Sequence, residues 1–275
     1  MLAMLALSAC SAAMDESARS PLPEGITAVL VQLRSDVAAR QAQVEVHNAG
    51  DTSIRIGDVT VADPRLDGVA SRVLDRESTL GPGGTVDFRI QLPEMACDVT
   101  EGTPSVRLTF VGQGADEVRE GALPDALDVL GPMHERECRA QALAEAADVS
   151  IVSFTPSESG SPADLTLEIA PTGEDSARIV GVHDTNLLTF AGTQPVGYPI
   201  DIAVASGDTE TTIVHLPLVP LRCDPHAVQE DKRGTVFTFD VEVEGEPGTV
   251  EIAAVEDVRG RILTWVANWC GFGPG

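Results

Sequence analysis

The sequence repeats itself, and this repeat limits the possible folds more than any other feature. The segment VEVHNAGDTSIRIGDV, residues 44–59, aligns without a gap to LEIAPTGEDSARIVGV, residues 167–182, and six of the sixteen positions are identical. A second match, of LPEMACD with LPLVPLRCD, places Cys97 opposite Cys223. A chain of 275 residues is long enough for two domains that each bury a core. We therefore expect a duplicated domain.

The segments around the repeat alternate apolar and polar residues, which is typical of strands with one buried face. The first half contains ITAVLVQL and TVDFRIQL, and the second half contains TVFTFDVEV. Turn segments rich in Gly and Pro, such as LGPGGT, separate these strands. Short antiparallel strands at this spacing indicate β-sandwiches.

The run STLGPGGTVDFRIQLP, which follows NAGDTSIRIGDV, resembles bacterial immunoglobulin-like and fibronectin-like domains. In such domains a strand and a turn lead through a PGG corner into the next strand, and the resemblance implies a fold without implying a function. We expect an all-β protein of two tandem immunoglobulin-like β-sandwich domains, residues 25–145 and 148–275. The Ala-rich segment CRAQALAEAADV joins them.

Near the end of each half, the apolar period changes to that of a helix. The pattern predicts a helix from Leu123 to Leu130, interrupted by Gly131 and Pro132, and a second helix that includes Val258, Ile262, Trp265 and Trp269. We expect each domain to end in a short helix that leads toward a cysteine.

The first ten residues, MLAMLALSAC, are apolar and end in Leu7-Ser8-Ala9-Cys10. This segment resembles the lipobox of bacterial lipoproteins, in which small residues precede a cysteine that carries a diacylglyceryl group. The resemblance implies that residues 1–9 are a signal peptide and that Cys10 anchors the protein by acyl chains. Because no charged residue precedes Asp15, we expect the complete signal to start upstream of Met1. A chance LSAC in a cytosolic protein is the alternative.

Residues 10–24 are small, polar and Pro-containing, as expected of a tether. The protein would then sit at the outer face of the cytoplasmic membrane. No internal run approaches the roughly 18 apolar residues that a membrane-spanning helix needs.

Four further cysteines follow the repeat, two in each half, in a chain expected to face an oxidising exterior. Three pairings are possible, and the duplication favours Cys97 with Cys138 and Cys223 with Cys270. A structural zinc site is the rival, but its ligands usually come in close pairs such as Cys-x-x-Cys, which the sequence lacks. We predict one disulfide in each domain.

The 43 acidic and 18 basic residues give a formal charge of -25. Such a surface repels phosphate backbones, so we expect no nucleic-acid partner. All basic residues except Lys232 are arginine, which is typical of GC-rich coding as in actinobacteria, and salt adaptation is another source of the acidity.

The segment RCDPHAVQEDKRG, residues 222–234, is the main candidate for partner contact. Its connection from cysteine to strand is 13 residues long, against nine in the first half, so the shared scaffold does not require it. Asp224-Pro225 should open a turn followed by one helical turn. The longer loop would present His226, Lys232 and Arg233 to a partner.

Other candidate sites have simpler structural interpretations. HEREC lacks the second histidine of a metalloprotease helix. DPRLDG, residues 63–68, lacks the spacing of an EF-hand, and we interpret it as a surface turn, with calcium as the alternative. Trp265 and Trp269 are more simply core residues than a sugar-binding platform.

We therefore expect no catalytic residue, no metal ligand and no cofactor. The predicted role is that of a lipid-anchored, envelope-exposed, non-enzymatic binding or scaffolding protein. Its partners would be the membrane, through Cys10, and another envelope protein, with glycan less favoured. The alternative is an envelope enzyme or metal-handling protein whose site forms only in three dimensions.

Overall fold

The structure is a computed structural model that describes residues 20–192, 197–229 and 233–273. Cys10 and Lys232 lie outside these residues. The described part is mostly β, with sheets in a sandwich-like arrangement, in agreement with the predicted β-sandwich class. It also contains two disulfides. The chain divides into two compact units, of which the first ends at His134 and the second begins at Glu135.

The first unit is built from antiparallel strands that pair in the order β1-β2-β6-β4-β3-β7-β8, with β5 beside β3. Among the residues that the structure describes, β4 pairs with β6 at only two residue pairs, so most of the edge of β6 on that side has no strand partner there. The elements are β1 Ile26–Val31, α1 Arg34–Val37, β2 Gln41–Asn48, β3 Ile54–Ala62, β4 Val69–Arg72, β5 Ser78–Leu80, β6 Thr85–Gln91, β7 Ser105–Phe110 and β8 Glu117–Ala122.

Alternation along these strands fills the core of the first unit. Val44 and Val46 of β2 and Phe88 and Ile90 of β6 are fully buried, while the residues between them point outward. The two-residue period seen in the sequence therefore sets which face of each strand is buried.

The second unit contains two four-stranded sheets, ordered β12-β14-β10-β9 and β13-β11-β15-β16. Phe154, Phe237 and Phe239 lie in the core beside Ile262 and Trp265. The elements are β9 Ala147–Thr155, β10 Ala163–Pro171, β11 Ala177–Val182, β12 Leu188–Phe190, β13 Tyr198–Val204, β14 Thr212–Pro220, α3 Pro225–Gln229, β15 Val236–Val243, β16 Glu246–Ala253 and α4 Glu256–Trp269.

Both copies of the repeated motif contain a shift in strand register. In the β3–β7 pair the shift lies between Ile56 and Val59, and in the β11–β15 pair it lies between Ile179 and Gly181. Such bulges bend a strand and leave one residue unpaired. They interrupt the ladder at matching positions of the two sequences.

The prediction of a helix from Leu123 to Leu130 is wrong. Helix α2 is Leu130–Ala146, so it begins where the prediction ended and continues through Pro132. The Asp125 carboxylate accepts the backbone N–H groups of Val129 (2.8 Å) and Leu130 (3.0 Å), which caps the helix there. Pro132 is in the first turn, where its missing N–H costs no hydrogen bond. The predicted Ala-rich linker forms the end of α2 and the start of β9.

The predicted second helix is confirmed as α4. Val258, Ile262, Trp265 and Val266 face the core at helical spacing. Among the described residues, no helix combines the length and the apolar character needed to cross a bilayer.

Candidate functional site

The predicted partner loop leads from β14 through α3 toward β15. The Asp224 carboxylate accepts the backbone N–H of His226 at 3.0 Å, so the predicted turn and helical turn are confirmed. His226 is exposed. Arg233 is exposed as well, but it forms an ion pair with Glu251 of β16. Two of the three residues proposed for partner contact therefore lie in the described part: His226, and Arg233, whose charge is paired with Glu251.

A disulfide fixes this loop to the end of α4. Cys223 and Cys270 are bonded, with their Cα atoms 5.3 Å apart and a separation of 47 positions in sequence. Helix α3 packs against α4, and Val228 contacts the core of the unit. Cys97 and Cys138 each take part in a disulfide as well. The predicted partner loop is thus held against α4 by a disulfide and by apolar contacts.

The exposed face of α4 lines a groove of about 570 Å³, which we call the α4 groove. Three small or polar residues spaced four apart, Gly260, Thr264 and Asn268, form one wall together with acidic residues at the start of the helix. The lining residues are Pro156, Ser157, Glu256, Asp257, Gly260, Arg261, Thr264, Trp265 and Asn268.

Aromatic packing and hydrogen bonds hold the α4 groove in place. The Trp265 indole donates its N–H to the carbonyl of Ser157 (3.1 Å) and packs edge-on against Phe154, with ring centroids 5.4 Å apart. Arg261 donates to the carbonyl of Phe154. Since Trp265 is only 3% exposed, it is a core residue, as the simpler interpretation predicted, and it offers no open face to a sugar.

Four of the five described histidines each have a local polar neighbour rather than a shared site. His183 lies 2.7 Å from Asp240, and His215 lies 2.9 Å from Asp164. His47 contacts Thr85, and His134 of the HEREC segment contacts the carbonyl of Ala96. Within residues 20–192, 197–229 and 233–273, three or more His, Cys, Asp or Glu side chains do not gather where they could hold a metal.

The DPRLDG segment forms a buried ion pair. The side chain of Asp63 is fully buried, so the prediction of a surface turn is wrong for this residue. Its carboxylate accepts the backbone N–H of Arg65 (2.9 Å) and two guanidinium N–H groups, at 2.9 and 3.0 Å. These bonds to Asp63 raise the pKa of Arg65, against the opposing effect of burial. The Asp63 carboxylate, which the calcium alternative would use as a ligand, is therefore bonded to Arg65.

In the first unit, three arginines line a smaller pocket of about 230 Å³, which we call the arginine pocket. It lies beside the edge of β6 that β4 only partly covers, and no pattern in the sequence indicates it. The lining residues are Gln43, Arg72, Leu74, Arg76, Ser78, Val86, Asp87, Phe88 and Arg89.

No family model matches the chain, and no curated protein matches it. Among solved structures, it is similar to red sea bream transglutaminase, at 10% identity and a TM-score of 0.24, over 86% of this chain and 32% of that one. The YadV chaperone shows 14% identity and a TM-score of 0.24, over 82% of this chain and 99% of that one.

The CupB2 chaperone of Pseudomonas aeruginosa shows 13% identity and a TM-score of 0.23, over 79% of this chain and 94% of that one. This chain spans about a third of the length of the transglutaminase. TM-scores of 0.23 and 0.24 are far below those of proteins that share a whole fold.

Proposed function

We propose that this protein is a non-enzymatic binding or scaffolding protein, anchored through lipid on Cys10 at the outer face of the cytoplasmic membrane. Its partner is another envelope protein. The disulfides support this location, because such bonds persist in oxidising compartments and are rare in the cytosol.

The proposal includes two immunoglobulin-like domains that arose by internal duplication. The sequence repeat supports this origin, and so does the strand order. Strands β1-β2-β6 and β9-β10-β14 come from corresponding segments and pair in the same order, as do β3-β7-β8 and β11-β15-β16.

The observation that carries the binding role is the fixed geometry around α4. A disulfide holds an exposed loop at the end of the helix, and the exposed face of the same helix lines a groove beside Trp265, which a hydrogen bond and ring packing hold in place. A preformed site loses less conformational entropy when a partner binds than a flexible one does. Loops on a rigid sheet scaffold commonly serve as contact sites.

The chemistry of the α4 groove defines the partner segment. Pro156 adds an apolar surface above the nearly buried Trp265, and Glu256 and Asp257 line its rim, where Glu256 also pairs with Arg259. Arg261 donates to a backbone carbonyl at the same place. An apolar segment of an envelope protein that carries a basic side chain fits this arrangement, since that side chain would face the acidic rim.

Substitution of Thr264 by Arg tests this site. Thr264 is exposed on α4, so the larger side chain fills the groove without entering the core. Thr211→Arg, in an exposed coil of the same unit, adds the same charge elsewhere. Cross-linking in native membranes followed by mass spectrometry should lose the partner in Thr264→Arg and keep it in Thr211→Arg. An equal yield from both variants would refute the groove as the binding site.

Two further experiments test the loop and the anchor. Replacing the 13-residue connection after Cys223 by its nine-residue counterpart removes His226, Lys232 and Arg233, and it should reduce capture of the cross-linked partner.

Cys10→Ser should move the protein from the membrane fraction to the soluble fraction, and a variant that stays in the membrane would exclude the anchor.

A further inference from the structure

The arginine pocket concentrates positive charge on a strongly acidic chain. Arg72, Arg76 and Arg89 all line it, although the whole sequence contains only 18 basic residues against 43 acidic ones. Asp87 is the one carboxylate among the described lining residues. Three guanidinium groups and one carboxylate therefore line the pocket, and the buried Asp36 carboxylate, 3.7 Å from Arg89, offsets a further part of the positive charge.

Arg72 is held in place by neutral groups. Its guanidinium donates to the carbonyl of Gly57 and to the hydroxyl of Ser78 (2.8 Å), and it lies 4.7 Å from the centre of the buried Phe88 ring. Contact with an aromatic face and with neutral oxygens orients the cation without cancelling its charge. Burial lowers the pKa of Arg72, and the positive charge of Arg76 lowers it further, while the charges of Asp58 and Asp75 oppose this shift. An anion in the pocket would relieve this repulsion.

Arg89 lies on β6, with its side chain half exposed. Its guanidinium is 3.7 Å from the buried carboxylate of Asp36, which is beyond hydrogen-bond distance. Asp36 instead accepts hydrogen bonds from Gln43 (2.8 Å) and from the backbone N–H of Leu33 (3.2 Å). Arg89 therefore keeps donors available for another acceptor.

Arg76 is exposed on the connection between β4 and β5. Its backbone N–H donates to the carbonyl of Leu74, which fixes the turn that carries the side chain toward the pocket. Leu74 itself is 53% exposed. The pocket thus combines cationic walls with an apolar rim, which suits the anionic end of an organic molecule.

From these contacts we infer that the arginine pocket binds an oxyanion, either a carboxylate or a phosphate group. Planar guanidinium groups donate in pairs to both kinds of group, and the positive charge that remains at the pocket favours an anion. The volume of about 230 Å³ accommodates a small organic acid or the anionic end of a larger ligand. This site lies in the first unit and does not depend on the α4 groove.

Isothermal titration calorimetry of the full chain with inorganic phosphate and with succinate tests the inference. The ionic strength is kept constant with sodium chloride, because screening would otherwise change the binding of any anion. We expect saturable binding of at least one of the two. Binding of phosphate alone assigns a phosphate site, and binding of succinate alone assigns a carboxylate site. The absence of saturable binding for both would overturn the inference.

Three variants locate the site. Arg76→Gln removes an exposed cation and should weaken binding about tenfold or more, since one charge-assisted hydrogen bond is lost. Arg136→Gln removes the same charge from an exposed position of α2 and should leave binding within about twofold, because the charge is outside the pocket. Asp87→Asn should strengthen binding severalfold. Equal affinity of Arg76→Gln and Arg136→Gln would overturn the assignment even if the wild-type chain binds an anion.

Discussion

Replacement of Asp63 by Asn should destabilise the first unit strongly. Asn keeps the shape of the side chain and one acceptor oxygen, but it removes the charge and places an NH₂ donor opposite a guanidinium donor of Arg65. The side chain of Asp63 is 0% exposed and that of Arg65 is 11% exposed, so the arginine charge loses its partner in a largely dry place. Breaking a buried ion pair costs 3–5 kcal/mol, and because Arg65 retains some exposure, we expect about 3 kcal/mol.

Amide hydrogen exchange measured by mass spectrometry can assign this loss to the first unit. Peptides from β3 and β7 should exchange about a hundredfold faster in Asp63→Asn, in proportion to the lost free energy. Trp265 and Trp269 both belong to α4, so tryptophan fluorescence during urea unfolding reports the second unit and serves as an internal control.

The matched control for this variant is Asp67→Asn. Asp67 is exposed in the same turn, and a surface substitution of this kind changes stability by about 0.5 kcal/mol or less. If Asp63→Asn lost less than about 1 kcal/mol, the Asp63–Arg65 pair would not be the stabilising contact that its geometry indicates.

Three other substitutions test separate parts of the fold. The double variant Cys223→Ser with Cys270→Ser opens a loop of 47 residues and should lower the free energy of unfolding by about 4 kcal/mol, measured by urea unfolding with and without reductant. Phe154→Ala empties a fully buried position against Trp265 and should cost about 3–5 kcal/mol, with a change in tryptophan emission. Asn48→Ala removes the side-chain bonds to Gly50 (3.0 Å) and to the carbonyl of Thr52 (2.9 Å), so thermal unfolding should show a loss of about 1–3 kcal/mol.

The strands were the most predictable part of the chain, because alternation acts over a few neighbouring residues. ITAVLVQL contains β1, TVDFRIQL contains β6, and TVFTFDVEV contains β15. Helix α4 followed from apolar residues at helical spacing, and the short turn after Asp224 followed from a local side-chain bond. Each of these features is determined within about one turn or one strand.

The helix α2 was mispredicted because two local signals disagreed. Leu123, Leu127 and Leu130 have helical spacing, but Leu127 is exposed, and the backbone N–H of Leu123 donates to the carbonyl of Pro104. The capping carboxylate of Asp125 then starts the helix later, and Pro132 fits the first turn instead of ending it.

The arginine pocket could not be predicted from the sequence because its residues meet only through strand pairing. Arg72 of β4 lies opposite Ile90 of β6, and Arg89 lies on β6 itself, so only the pairing of these two strands brings the arginines together. Nothing in the segment RVLDRE, residues 72–77, indicates that it will fold against the edge of β6. Sites of this kind depend on the alignment of strands that are distant in sequence.

The bulges in β3 and β11 also affect how the protein folds. A bulge places one extra residue at a defined position in the strand pair. A strand displaced by one residue therefore moves this extra residue out of place, and it also turns buried valines such as Val59 and Val61 toward water. Each of these strands therefore has a single favourable alignment with its partner. The bulges thus disfavour hairpins in the wrong register. During folding, such hairpins would expose unpaired strand edges that can pair with other chains.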